Sequence, residues 1–205
     1  IDDGRPVRGK INNTLDRLLI NQLYGYMYHR FDEYQARKYR NELLRLREEN
    51  KILKIGVSIY SLMELEAVVE DKEIALIQIP INPFDSSSEK LNLLRDAKSA
   101  GKEIHVRSVF LQGLFFKKPE ELTGNLIELS GPLQNFHEIL KLHGLTVRQA
   151  CLNFALHLPM VDLVIIGVDT SEQLEQNIEA ILPMFSTELI QEFQHIHVMN
   201  QSILN

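Results

Sequence analysis

Short apolar runs alternate along this chain with longer stretches in which apolar side chains return every three or four residues. Residues 54–60, 75–82, 101–113 and 162–168 are apolar through their middles and bounded by polar or glycine-containing segments. That pattern predicts parallel strands covered on both faces. A fifth run, Leu23-Tyr-Gly-Tyr-Met-Tyr-His29, is aromatic-rich and short enough for a strand. Between these runs the spacing is helical. Asn12 or Asn13 caps a helix through about residue 20, with Leu15, Leu18 and Leu19 as its apolar face, and residues 33–50 form one amphipathic helix whose dense charge is a solvated face. Ser61-Leu-Met-Glu64 is a capping box opening a helix to about residue 71, and Ser86-Ser-Ser-Glu89 offers a cap for another that ends at Gly101. Further helices are expected over residues 133–143, over 146–158, opened by Thr146-Val-Arg-Gln149, and over 171–182. Ser186 or Thr187 starts the last, with Leu189, Ile190, Phe193 and Ile196 on one face. Residues 1–10 read as a loop or a cut end, and residues 115–130, punctuated by Pro119 and Gly124, as irregular structure at a strand's carboxyl end.

Five strands separated by helices require parallel pairing with right-handed crossovers. A doubly wound dinucleotide fold needs a glycine-rich fingerprint after its first strand, and no GxGxxG occurs. A (β/α)8 barrel instead gathers single polar groups from many strand ends. Ser58, Gln78 with Asn82, Arg107 with Ser108, and Gly167 follow that rule. The expectation is therefore an α/β TIM barrel of which about five β/α units are present, forming a single domain over residues 1–205.

Composition narrows the function without naming it. With 44% hydrophobic and 24% charged residues the 205-residue chain is globular and carries no membrane span, and a formal charge of −6 provides no basic field for nucleic acid. Cys151 is the only cysteine, so no internal disulfide forms; a reducing, cytoplasmic setting is expected, with Cys151 packed inside its helix. No metal site is expected. Ile1 reads as the start of a segment of a longer protein.

Ile55-Gly-Val-Ser58, Gln78-Ile-Pro-Ile-Asn82, Val106-Arg-Ser-Val-Phe-Leu-Gln-Gly113 and Ile165-Ile-Gly-Val168 followed by Glu172-Gln-Leu-Glu-Gln-Asn177 together resemble the aldo-keto reductases, in order and spacing, over nearly the whole chain. The resemblance implies a (β/α)8 barrel that uses NADP(H) or NAD(H) to interconvert carbonyls and alcohols on small-molecule substrates. It assigns these segments to the fourth through eighth strands, so that the catalytic Asp, Tyr and Lys of the first three are absent here. His29 then matches the remaining catalytic residue, the imidazole that orients the carbonyl. From the residues alone it is a structural histidine closing an apolar strand, and Tyr24, Tyr26 and Tyr28 are structural as well. The resemblance further implies that Ser58 and Gln78 hold the nicotinamide amide with Arg107 against the ring, that Ser108, Phe110, Gln112 and Gly113 line the pyrophosphate, and that Gly167, Gln173, Gln176 and Asn177 surround the adenosine phosphate. Without the family, Ser58 and Gln78 read equally as ordinary sheet and turn hydrogen bonding, Arg107 as a structural ion pair, and Gln176 with Asn177 as a solvated helix face.

Three departures stand out. Ile59 occupies a position where many members have a carboxamide-binding asparagine, and Arg107 one where many stack an aromatic. Residues 167–173 contain no Lys or Arg, while Asp169 and Glu172 repel a 2′-phosphate, so weak preference for NADPH or a preference for NADH is expected. Two further classes fit the same residues: a non-catalytic cofactor-binding or scaffold subunit of this fold, and an unrelated phosphate-binding barrel enzyme. A chain with only these strands leaves two unpaired sheet edges, and self-association through them is expected.

Overall fold

The structure, a computed structural model, describes residues 6–204. The described elements run in the order α1 (Val7–Leu18), β1 (Leu23–Tyr28), α2 (Phe31–Gln35), α3 (Arg40–Glu48), β2 (Ile52–Ser58), α4 (Leu62–Val69), β3 (Leu76–Pro80), α5 (Ser88–Ser99), β4 (Glu103–Arg107), three 3-10 turns, α6 (Ser130–His143), α7 (Val147–Leu156), β5 (Leu163–Val164), α8 (Ser171–Glu179) and α9 (Thr187–Gln194). Strand neighbours follow chain order, β1-β2-β3-β4-β5, the order of a (β/α)8 barrel and not of a doubly wound sheet. The chain divides into two compact units, Ile1–Gln78 with Ala97–Glu103, and Ile79–Asp96 with Ile104–Asn205.

In the first unit β1 and β2 pair in parallel from Leu23 opposite Ile52 to Tyr28 opposite Val57, and β2 continues onto β3 with Ser58 opposite Gln78. Helix α1 begins earlier than its apolar spacing suggested. Its buried stripe is Val7, Ile11 and Leu15, four residues apart, whereas Leu18 is exposed and Leu19 closes the helix in the left-handed conformation. The expected single helix over residues 33–50 is two, because Arg37 (φ 53°) and Tyr39 (φ 63°) break it. The break is fixed by tertiary bonds: Tyr34 Oη and an Arg37 guanidinium nitrogen donate to Asp71 Oδ2 at 2.9 and 2.7 Å, and Arg40 Nε donates to Glu73 at 2.7 Å. These contacts outweigh the helix propensity of the charged run. Ser61 forms the capping box of α4, its Oγ accepting from the Glu64 amide at 3.2 Å.

In the second unit, Ile81 donates its amide to Arg107 O at 3.2 Å, and β4 pairs in parallel with β5 through His105 opposite Leu163 and Val106 opposite Val164. The strand expected over residues 162–168 is limited to two residues. After Ile165 donates to Val106 O at 2.7 Å, the chain leaves the ladder. The core is a chain of aromatic rings: Phe84 and Phe136 each lie within 5 Å of Phe115 (4.6 and 4.7 Å), and Phe136 leads at 5.5 Å to Phe193. Residues 111–129 carry short 3-10 turns in place of longer elements. Thr146 caps α7 with Gln149, and Ser186 caps α9, whose Leu189, Ile190 and Phe193 are buried together with Ile196 just beyond it. Fully buried Asn153 on α7 donates to Ala180 O at 2.8 Å and accepts from the Leu182 amide at 2.8 Å, which fixes the end of α8 against α7.

Candidate functional site

The segment after β4 turns on four left-handed residues, Ser108 (φ 60°), Leu111 (φ 43°), Gln112 (φ 52°) and Gly113 (φ 84°). Three of these are not glycine, so the conformation costs energy that the surroundings must hold. Arg107 donates to Ser108 Oγ at 3.2 Å and Asn82 Nδ2 to Ser108 O at 3.3 Å, while Asn82 Oδ1 accepts from the Phe84 amide at 3.0 Å. The segment is therefore anchored from two strand ends. At Gly113 a β-carbon would meet nothing within 4 Å, so φ alone favours glycine there.

That segment forms one wall of a cavity of about 640 Å³. Ser108, Phe110, Gln112, Gly113 and Phe116 line one side, and Ile165 to Asp169, with Gln173 and Asn177 of α8, the other. Asn177 is the one buried side chain of α8, a polar group set where an amphipathic helix ordinarily places an apolar one. Gln173 Oε1 accepts from the Asp169 amide at 2.8 Å, and Thr170 Oγ1 caps the helix by accepting from the Gln173 amide at 3.2 Å. The polar residues nominated on the adenosine side thus divide: Gly167, Gln173 and Asn177 share this cavity, while Gln176 lines a second one of about 460 Å³ and donates to Glu172 at 3.2 Å.

Arg148, the second residue of α7, lines both cavities, with its guanidinium carbon 5.1 Å from the centre of the Phe116 ring. Its Nε is buried without a hydrogen-bond partner among the described residues. It lies outside residues 167–173, the segment in which the resemblance places a cation. A local signal existed, since a cation in the first turn of a helix opposes the helix dipole.

In the first unit Ser58 is buried and its Oγ donates to Gln78 Oε1 at 3.3 Å; Gln78 O in turn accepts from the Ile59 amide at 2.9 Å. His29 is exposed and lines a cavity of about 280 Å³ with Lys10, Tyr26, Glu33 and Tyr39. Burial raises the Tyr26 hydroxyl above its usual range and pushes Tyr28 up to about 12, the wrong direction for a proton donor near neutrality. Tyr24 Oη instead sits between Lys54 Nζ at 2.7 Å and Glu103 at 2.5 Å. Cys151 is fully buried, and desolvation holds its thiol well above the ordinary value, so it is a packing residue. Among the described residues no cluster of three or more His, Cys, Asp or Glu is placed to hold a metal ion, and no helix is long and apolar enough to cross a membrane.

The larger cavity gathers left-handed backbone, hydroxyl and amide side chains, and a guanidinium whose Nε has no hydrogen-bond partner among the described residues. Comparison with curated protein sequences gives no match. Solved structures do match. The thermostable aldo-keto reductase Tm1743, crystallised with the inhibitor epalrestat, has a TM-score of 0.68 at 22% identity, covering 93% of this chain and 65% of that one. The holo form of the aldo-keto reductase AKR11C1 from Bacillus halodurans gives 0.73 at 18% identity over 92% of this chain and 66% of that one. An aldo/keto reductase from Brucella melitensis gives 0.65 at 17%, over 92% and 66%. The chain thus spans about two thirds of the length of these structures, and the likeness shows an α/β fold with five parallel β/α units that fits part of their barrel. The profile of the aldo/keto reductase family matches residues 5–197, and with nearly the whole chain inside that match, the chain belongs to the aldo/keto reductase family.

Proposed function

We propose that this chain is the carboxyl-terminal, cofactor-holding portion of an NAD(P)(H)-dependent reductase that interconverts small carbonyls and alcohols. The observation that carries the reading is the 640 Å³ cavity, which gathers Ser108, Phe110, Gln112, Gly113, Gly167, Gln173 and Asn177 around one volume although they lie on segments about sixty residues apart. A bound nicotinamide dinucleotide supplies the hydride. The chain's own part is to bind and orient: the Ser108 to Gly113 segment receives the pyrophosphate, Asn177 and Gln173 the adenosine end, and Ser58 with Gln78 the nicotinamide amide. Arg107 lies against the ring, in place of the family's more usual aromatic.

His29 orients the substrate carbonyl by a hydrogen bond, which fits its exposure and its place after β1. The tyrosine proton donor, its lysine neighbour and the aspartate come from strands outside this chain. The upward shifts of Tyr26 and Tyr28 support that assignment, as neither is acidified. In the complete reductase, His29→Ala is expected to lower carbonyl turnover by about 10²-fold with unchanged dinucleotide affinity. Steady-state kinetics beside cofactor titration test this. Unchanged turnover would return His29 to a structural role, and cofactor binding without any turnover would favour the non-catalytic subunit.

A further inference from the structure

The residue that most needs a partner in the second unit is Arg148. Its Nε is buried and unmatched, and an arginine remains charged under all ordinary conditions. The guanidinium makes no hydrogen bond or ion pair with a described residue, and an anion in the cavity it lines offsets the uncompensated charge. The position is also unfavourable locally, in the first turn of α7, where acidic side chains are favoured and basic ones are not. Packing on Phe116 holds the side chain beside the cavity instead of letting it extend into water. Gln173 and Asn177 of α8 line the same cavity. A guanidinium and two side-chain amides lining one volume supply donors for a doubly charged phosphate group.

We infer that Arg148 is the specificity residue of this cavity, pairing with the 2′-phosphate of NADP(H) from helix α7, in place of a cation in the strand-helix segment 167–173. The inference rests on the dinucleotide reading above and reverses the cofactor preference expected when only that segment is searched. Asp169 lines the same cavity and Glu172 lies in the first turn of α8. Their charges oppose a phosphate, so Arg148 must supply the net attraction and its loss should reverse the preference.

Isothermal titration of the 205-residue chain with NADP⁺, NAD⁺, adenosine 2′,5′-bisphosphate and AMP tests this. The wild type is expected to bind NADP⁺ and the bisphosphate more tightly than NAD⁺ and AMP. Arg148→Met should weaken the two 2′-phosphorylated ligands by about 10- to 100-fold, as expected for a charge-assisted pair, while NAD⁺ and AMP change by less than about twofold. Arg148→Lys should recover part of the loss. Arg148→Gln, which keeps a hydrogen-bond donor without the charge, provides the same comparison if the methionine variant does not fold. An unchanged NADP⁺/NAD⁺ ratio overturns the assignment and leaves the dinucleotide reading standing. An equal loss for all four ligands also overturns it, placing Arg148 on the shared part of the cofactor. Failure of the wild type to bind any of them removes the dinucleotide reading itself.

Discussion

At the scale of single residues, close approach dictates identity more sharply than chemistry does. A β-carbon on Gly56 would lie 2.7 Å from Leu76 O and 2.7 Å from Met27 Cγ, and the carbonyl belongs to a paired strand that has no freedom to withdraw. Gly56→Ala is therefore expected to destabilise the chain by about 1–3 kcal/mol, the usual cost of overpacking a core. Urea unfolding measures it, and an unchanged midpoint would mean that β2 is not packed against β1 and β3 at this distance. Residues whose role is local were legible in the sequence. Ser61 with Glu64, and Thr146 with Gln149, pair over three positions, and both capping boxes form. Arg148 was not legible as a cavity residue, because Phe116 and Asn177, which give it a role, are about thirty residues away on either side. The nominations that rested on resemblance alone, such as Gln176 beside Asn177, were separated by helical geometry: residues one apart on α8 point some 100° from each other.

Among the elements, the α4–β3 connection has the most to hold in place. Asp71 accepts from Tyr34, Arg37 and the Glu73 amide, and Lys102 donates to Asp71 O and, at 2.7 Å, to Ile74 O. Burial alone would raise the Asp71 carboxyl, but the Glu73 amide, Arg37 and Tyr34 outweigh it and lower its pKa below the ordinary value of 3.8. A folded value below the unfolded one means that this stabilisation is complete above the usual carboxylate range and is lost as pH falls through the lowered value. Asp71→Asn should cost about 1–3 kcal/mol at neutral pH, and its deficit relative to the wild type should shrink as the solution is acidified into that range. Thermal unfolding of both proteins across pH gives the comparison; a deficit that does not change with pH would show that the charge of Asp71 is not what stabilises the connection. The same contacts explain why the helix expected over residues 33–50 is broken: charge density announces a solvated face, while the partners at Asp71 and Glu73 are set only once β3 is in place. The shortening of β5 has a similar origin, since apolar residues 165–168 read as strand although they line a cavity.

For the molecule as a whole, the alternation of five strands with helices carried the fold class because parallel pairing leaves few arrangements for such a pattern. The family followed from several weak motifs in the right order, and the profile match over residues 5–197 agrees with it. Function is less evenly written: the cavity on the second unit, proposed as the cofactor site, gathers hydroxyl, amide and guanidinium groups around one volume, whereas the catalytic assignment depends on one histidine and on partners proposed to lie outside the chain. The 640 Å³ cavity is proposed to hold a dinucleotide, which a titration of NADPH and NADH into the 205-residue chain and into Asn177→Leu, followed by cofactor fluorescence, tests. Asn177 is 5% exposed and lines the cavity, so its replacement removes polar contact while keeping the helix. Saturable one-to-one binding by the wild type, weakened by about tenfold or more in Asn177→Leu, is predicted. No saturable binding, or equal binding by a correctly folded Asn177→Leu, would contradict the account.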